Sequence, residues 1–230
     1  MLEETDNSRI LYGKGRLCRS GASSLIQLHL QYGAQINEDG ARAFATGLAR
    51  NTTLKELKII HSSNISDILW QSIFTTFSTC KVENLILDSN GLNDANLQSL
   101  LNALLHNTFL KSLILMKIAD VPQAPKKLIT NTGWFNLFPS LQRIMLEKLD
   151  ISYNSIGDIG VKSPANALVN NSCLRELDLS YNSISGAGVN ALASVLHSPN
   201  SALEMLSIRG NSIGDIGAIA LSTVLRDPNS

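Results

Sequence analysis

The sequence predicts an α/β solenoid of about seven coils, with parallel strands inside the bend and helices outside. Three observations predict it. First, Leu174-Arg-Glu-Leu177-Asp-Leu179-Ser-Tyr-Asn182-Ser-Ile184 returns as Leu203-Glu-Met-Leu206-Ser-Ile208-Arg-Gly-Asn211-Ser-Ile213, and an earlier copy is Leu146-Glu-Lys-Leu149-Asp-Ile151-Ser-Tyr-Asn154-Ser-Ile156. These copies start 28 and 29 residues apart, a period typical of stacked strand–helix units. Second, apolar residues at the fourth and sixth positions alternate with polar ones, as in a short strand with one buried face. Third, a helix-like segment follows each strand; in Gly186-Ala-Gly-Val-Asn-Ala191-Leu192-Ala-Ser-Val-Leu196 the two leucines share a face one turn apart.

Aligned on this core, the units begin at Leu25, Leu54, Val82, Leu110, Leu146, Leu174 and Leu203. The helix-face pairs equivalent to Leu192 and Leu196 are Phe44/Leu48, Ile73/Phe77, Leu100/Leu104 and Leu221/Leu225, and Trp70 and Phe74 follow the same core spacing. The ninth-position asparagines, Asn90, Asn154, Asn182 and Asn211, fall where the chain leaves the strand, so their amides are expected to satisfy turn backbone groups. Residues 1–24, with Gly13, Gly15 and Gly21, show no clear repeat and are expected to form an extension or a poorly built cap. Units one and two carry an extra residue before Ile36 and Ile65, which implies bulged turns. Unit four departs most. It loses the asparagine, meets Pro122 and Pro125, and runs through Trp134, Phe135, Leu137 and Phe138 before the pattern resumes, so 116–145 is expected to be irregular and to lose its helix. Pro164 predicts a restart of the fifth helix, with Ser163 as its cap. Arg226-Asp-Pro-Asn-Ser230 aligns with His197-Ser-Pro-Asn-Ser201, after which the earlier copy enters its next strand. An uncapped last coil is expected there, either in a fragment of a longer protein or in one that self-associates.

The 19 basic and 19 acidic residues balance, which argues against nucleic acid as the partner. No apolar run approaches the roughly 18–20 residues of a membrane span, and the polar start Met1-Leu-Glu-Glu-Thr-Asp-Asn-Ser is unlike a secretory signal. Cys18, Cys80 and Cys173 are odd in number and widely spaced, so neither a disulfide framework nor a zinc site is expected, and the compartment reads as cytoplasmic. The Asn-x-Ser/Thr triplets at Asn51, Asn64 and Asn170 read as chance in that setting.

The pattern Leu-x-x-Leu-x-Leu-x-x-Asn-x-Ile followed by Gly-Ala-x-x-Leu resembles the ribonuclease-inhibitor type of leucine-rich repeat. The resemblance spans residues 25–230 and is strongest over 82–109 and 146–230. It implies a horseshoe with a helical convex side and a role in binding proteins. Members include the inhibitor itself, sensing domains of innate immune receptors, tropomodulin-like actin regulators and the Ran GTPase activators. Inhibition of ribonuclease does not carry over, because the inhibitor is cysteine-rich and this chain is not. The catalytic-support arginine and acidic tail of the Ran activators find no match here.

In such a coil the strand residues between the buried leucines point into the concave face. The fifth position of the units reads His29, Lys58, Ile86, Ile114, Asp150, Asp178 and Ser207; the eighth reads Tyr32, His61, Ser89, Lys117, Tyr153, Tyr181 and Gly210. Tyr153 and Tyr181 should stand together beside Asp150 and Asp178, with Arg175 near. Aromatic and arginine side chains are the usual anchors of an interface. The competing reading is that Ser-Tyr-Asn is repeat consensus covering the strand. Lys55, Lys58, His61 and Lys117, interrupted by Glu56 and Glu83, form either a basic patch or a mixed solvated surface. Trp134 leads either a protruding binding loop or core filling.

No enzyme is expected. His29, His61, His106 and His197 are scattered, no nucleophile or phosphate-loop motif occurs, and Gly186-Ala-Gly-Val-Asn-Ala191 matches a dinucleotide fingerprint only as repeat consensus. The sequence thus implies a scaffold that binds another protein without cofactor or metal, touching neither nucleic acid nor membrane. The alternatives are a regulatory module of a larger receptor and a GTPase activator like those of Ran.

Overall fold

The computed structural model describes residues 2–5, 8–11, 25–31, 38–60, 66–116, 129–169 and 171–226. Two short antiparallel strands, β1 (Leu2–Thr5) and β2 (Ser8–Leu11), lie within the stretch the repeat leaves unexplained. Strand and helix then alternate: β3 (Gln27–Gln31), α1 (Glu38–Arg50), β4 (Glu56–Ile60), α2 (Asp67–Thr75), β5 (Asn84–Asp88), α3 (Asp94–Leu104), β6 (Ser112–Ile114), α4 (Asn131–Leu141), β7 (Lys148–Asp150), α5 (Gly157–Leu168), β8 (Glu176–Asp178), α6 (Gly186–Leu196), β9 (Met205–Ser207) and α7 (Gly214–Arg226). Strands β3 to β9 form one parallel sheet in chain order, and each helix packs on the next. A sheet whose strand order equals chain order, with a helix in every crossover, is a solenoid.

The core is the stack of leucines that the repeat predicts. Leu57, Leu85, Leu113, Leu149 and Leu177 form one ladder, Ile59, Leu87, Leu115, Ile151 and Leu179 the next, and all are buried. Trp70, Ile73, Phe74 and Phe77 are buried as their helical spacing predicts. The asparagine ladder is real. Asn90, Asn154, Asn182 and Asn211 donate through Nδ2 to the sixth-position carbonyl of the preceding coil, at Ile59 (2.6 Å), Leu115 (2.6 Å), Ile151 (2.9 Å) and Leu179 (2.9 Å). Oδ1 of Asn182 accepts the amides of Asn154 and Ile156, and Oδ1 of Asn211 those of Asn182 and Ile184. A second ladder follows the helices: Asn107 and Asn171 accept the amides of Leu110 and Leu174 (both 2.7 Å) and donate back one coil, to Cys80 and Leu141. Asn51 caps Leu54 in the same way, so its amide belongs to the turn.

Aspartates join consecutive coils on the helix side. Asp94 at the start of α3 accepts from the amide (2.7 Å) and hydroxyl (2.6 Å) of Thr130, the N-cap of α4. Asp158 on α5 holds Ser185, the N-cap of α6, at 2.7 and 2.5 Å. Three residues after each cap stands a glycine, Gly133 or Gly188, where an added Cβ would lie 2.4–2.5 Å from that carboxylate. Burial raises the Asp158 pKa, but the hydroxyl and amides of Ser185 and Gly188 outweigh it, and the net value is lowered.

Three expectations are corrected. Unit four keeps a helix, α4, because the chain restarts at the Thr130 cap and Trp134, Leu137, Phe138 and Leu141 repeat at helical spacing. Helix α5 runs without restart through Pro164, eight residues into it. Leu225 is 84% exposed, and Val224 takes the inward position instead. The bulges before Ile36 and Ile65 and the segment with Pro122 and Pro125 lie outside the described residues.

Candidate functional site

The sheet register reproduces the fifth-position row: His29, Lys58, Ile86, Ile114, Asp150, Asp178 and Ser207 are successive partners across seven strands. One residue beyond the sixth position the chain turns. The eighth-position amides of Ser89, Tyr153 and Tyr181 cross to the next coil, at the carbonyls of Met116 (2.9 Å), Ser180 (2.9 Å) and Arg209 (2.8 Å). That turn requires left-handed backbone. Ser89, Tyr153, Tyr181 and Gly210 have φ of 54, 60, 54 and 68°. A bulky residue there costs about 1–2 kcal/mol, so glycine is the natural choice and tyrosine is not.

The two tyrosines nevertheless stand there, stacked at 4.3 Å between ring centres and 12° between planes. They are 40% and 37% exposed. Gly210 makes room for the second ring: a Cβ on it would lie 2.4 Å from Tyr181. The Arg209 guanidinium sits 5.8 Å from the centre of the Tyr181 ring. Packing against Tyr181 strips water from the Tyr153 phenol and raises its pKa, helped by Tyr181 and Asp178 and opposed by Arg209.

Asp150 and Asp178 are partners on adjacent strands, and each holds its own turn. One oxygen of Asp150 accepts the Ser152 amide (2.9 Å), and one of Asp178 the Ser180 amide (2.8 Å). The Ser180 and Ser207 hydroxyls meet at 2.7 Å. Arg175 is a correction: it stands at the second position of its unit and pairs with Glu204, and the cation beside the rings is Arg209. The available signal was Arg209 at the seventh position, where units five and six carry Ser152 and Ser180.

The second positions alternate in sign along the sheet: Lys55, Glu83, Lys111, Glu147, Arg175, Glu204. Glu83 binds Lys55 and lies 3.9 Å from Lys111. The hydrogen bond from Lys55 is the main reason its pKa is lowered. Lys148 meets Glu176 at 2.7 Å, and Glu56 meets His29 at 2.7 Å. Lys55 is therefore spent on a neighbour, and Lys58 is half-buried between His29 and Ile86. His61 and Lys117 lie outside the described residues. Trp134 is the second correction. It is 1% exposed inside α4, because its helical spacing with Leu137 and Phe138 turns it to the core, and it presents nothing to a partner.

Cys80 is buried, which raises its thiol pKa to about 11, and the Cys173 sulfur lies 3.5 Å from that of Met145. Among the described residues no group of His, Cys, Asp and Glu side chains is placed to hold a metal, and no helix is long and apolar enough to cross a membrane.

A leucine-rich-repeat family model matches residues 144–163, 170–193 and 200–222. Those are the coils that carry the tyrosine pair and Arg209. Those three segments are leucine-rich repeats, and the seven-stranded coil continues the same strand–helix alternation over the rest of the described residues. Among solved structures it is similar to leiomodin-1 actin-binding site 2, with 18% identity over 65% of this chain and 82% of that one, at a TM-score of 0.51. It also matches the yeast Rad7–Elc1 complex, with 18% identity over 80% of this chain and 56% of that one, at a TM-score of 0.34. No curated protein sequence matches it.

Proposed function

We propose that this chain is a cytoplasmic protein-recognition scaffold of the ribonuclease-inhibitor repeat type, without catalytic activity of its own. Its contact surface is the strand face around Tyr153 and Tyr181. The stacked tyrosine pair carries the reading: two exposed aromatic rings occupy left-handed positions that glycine would fill at lower cost. Such strain is typical of sites kept for binding. Asp150 and Asp178 each commit one oxygen to a turn, which leaves the carboxylates to favour a basic side chain lying along the rings. The array is rigid before binding, so little ordering entropy is lost on contact. Helices on the outer side of every coil support the ribonuclease-inhibitor type.

The test is affinity purification with the intact chain and with Tyr181→Ala/Asp178→Ala. The same prey should fall at least tenfold, while the melting temperature stays within a few degrees of the parent. Undiminished prey at equal folding removes the tyrosine face from consideration.

A further inference from the structure

Five of the seven fifth-position residues on the concave sheet are polar; the exceptions, Ile86 and Ile114, are direct partners on β5 and β6. Both are half-buried, as are the polar residues at that position. The other coils place His, Lys, Asp or Ser there, so the coil does not need isoleucine and the pair belongs to the chemistry of the face. Ile60 and Met116, the half-buried seventh-position residues of coils two and four, lie to either side of Asp88, whose carboxylate takes the Ser89 hydroxyl (2.7 Å).

The charges that border the two isoleucines differ in sign. Lys58 precedes them on β4, and Asp150 and Asp178 follow them on β7 and β8. The neighbouring rows neutralise charge within the chain: Lys55 binds Glu83, Arg175 binds Glu204, and Lys148 meets Glu176 at 2.7 Å. Among the described residues Lys58, Asp150 and Asp178 form no ion pair. The two aspartates also face each other in register, where like charges repel.

Spacing gives the form of the partner. Strands about 4.8 Å apart set Asp150 about 14 Å and Asp178 about 19 Å from Lys58, with the gap between the isoleucines at about 7 Å. An extended chain crossing these strands turns a side chain to the same side every ~6.7 Å. An acid over Lys58 therefore places the second residue after it between Ile86 and Ile114, and the fourth and sixth over Asp150 and Asp178.

We propose that the concave sheet takes an extended segment of another protein across β4 to β8. That segment carries an acid, an aliphatic residue two positions on, and bases four and six positions on, in either chain direction. The proposal rests on the strand face being the contact surface, and adds the order of side chains that this face selects.

Random dodecapeptides displayed on phage and selected on the intact chain test it. The enriched family should carry that order. A synthetic peptide of the family should bind Ile86→Ser and Ile114→Ser at least tenfold more weakly, with melting temperatures within a few degrees of the parent. Selection on Lys58→Glu should exchange the acid for a base and keep the aliphatic residue. Tyr181→Ala separates this proposal from the tyrosine reading, because it alters no member of the row: unchanged peptide affinity there removes the tyrosine pair and supports the row alone. Three outcomes overturn the proposal: no enriched family, a family in another order, or a peptide bound equally by Lys58→Glu and both serine variants.

Discussion

Replacing Asn182 with alanine would strand the amides of Asn154 and Ile156 inside the coil and leave the Ile151 carbonyl to Asn154 Nδ2 alone. Each buried orphan costs roughly 1–3 kcal/mol, so a loss of about 3–5 kcal/mol is expected in urea denaturation. Asn211→Ala should cost less than half of that, because Asn211 is half-exposed and water can replace its amide. The tyrosine positions behave oppositely. Tyr181→Gly relieves about 1 kcal/mol of left-handed strain and forfeits a stack worth about 0.5–1.5 kcal/mol, so stability should hardly move while partner capture falls. If the rings only covered the strand, capture would survive that exchange. Gly210→Ala should destabilise by about 1–2 kcal/mol or more and shift the near-ultraviolet circular dichroism, because its methyl group needs the space of the Tyr181 ring. The asparagines could be read in sequence because a buried turn needs one residue with both donor and acceptor at a fixed position. The second ladder, Asn51, Asn107 and Asn171, stood just as openly three residues before Leu54, Leu110 and Leu174.

Helix-to-helix coupling is carried by the aspartate that grips the next N-cap. Asp158 has a lowered folded pKa, so its contribution is complete above the ordinary carboxylate value near 3.8 and is lost as pH falls through the lower folded value. Asp158→Asn should therefore cost about 1–2 kcal/mol at pH 7, and parent and variant should converge as pH falls below about 4, read as urea midpoints across pH. Parallel pH profiles would show that the carboxylate charge is not what holds Ser185. This motif was visible only in part. Gly157-Asp158-Ile-Gly160 and Gly214-Asp215-Ile-Gly217 repeat in the sequence, but a clamp spanning 27 residues to Ser185 exists only once the coils are stacked. The same distance effect misled the fourth unit. Pro122 and Pro125 marked a break, yet Thr130 recapped the chain, and α4 formed with Trp134 on its inner face. Pro164 failed as a stop signal for a related reason: neighbours α4 and α6 hold α5 along its length, and packing outweighs one missing backbone hydrogen bond.

Across the molecule each coil is stabilised chiefly by its two neighbours, so the half-buried seventh coil should be less stable than the inner ones. Leu177→Ala is expected to cost about 2–5 kcal/mol, whereas Leu206→Ala, half-buried at the equivalent position, should cost roughly half as much or less. Hydrogen exchange of β9 should likewise outrun that of β7. Residue order alone determined the number of coils, the strand positions, the inward leucines and the fifth-position row, because a period of 28 or 29 residues admits a single register of stacking. Stacking decided which side chains remain available to a partner. It spent Arg175 on Glu204 and Lys55 on Glu83, and it buried Trp134. It also brought Arg209 over Tyr181. Those outcomes depend on contacts between coils, which a one-dimensional pattern specifies only as spacing, whereas charge pairing and exposure depend on distances of a few ångströms.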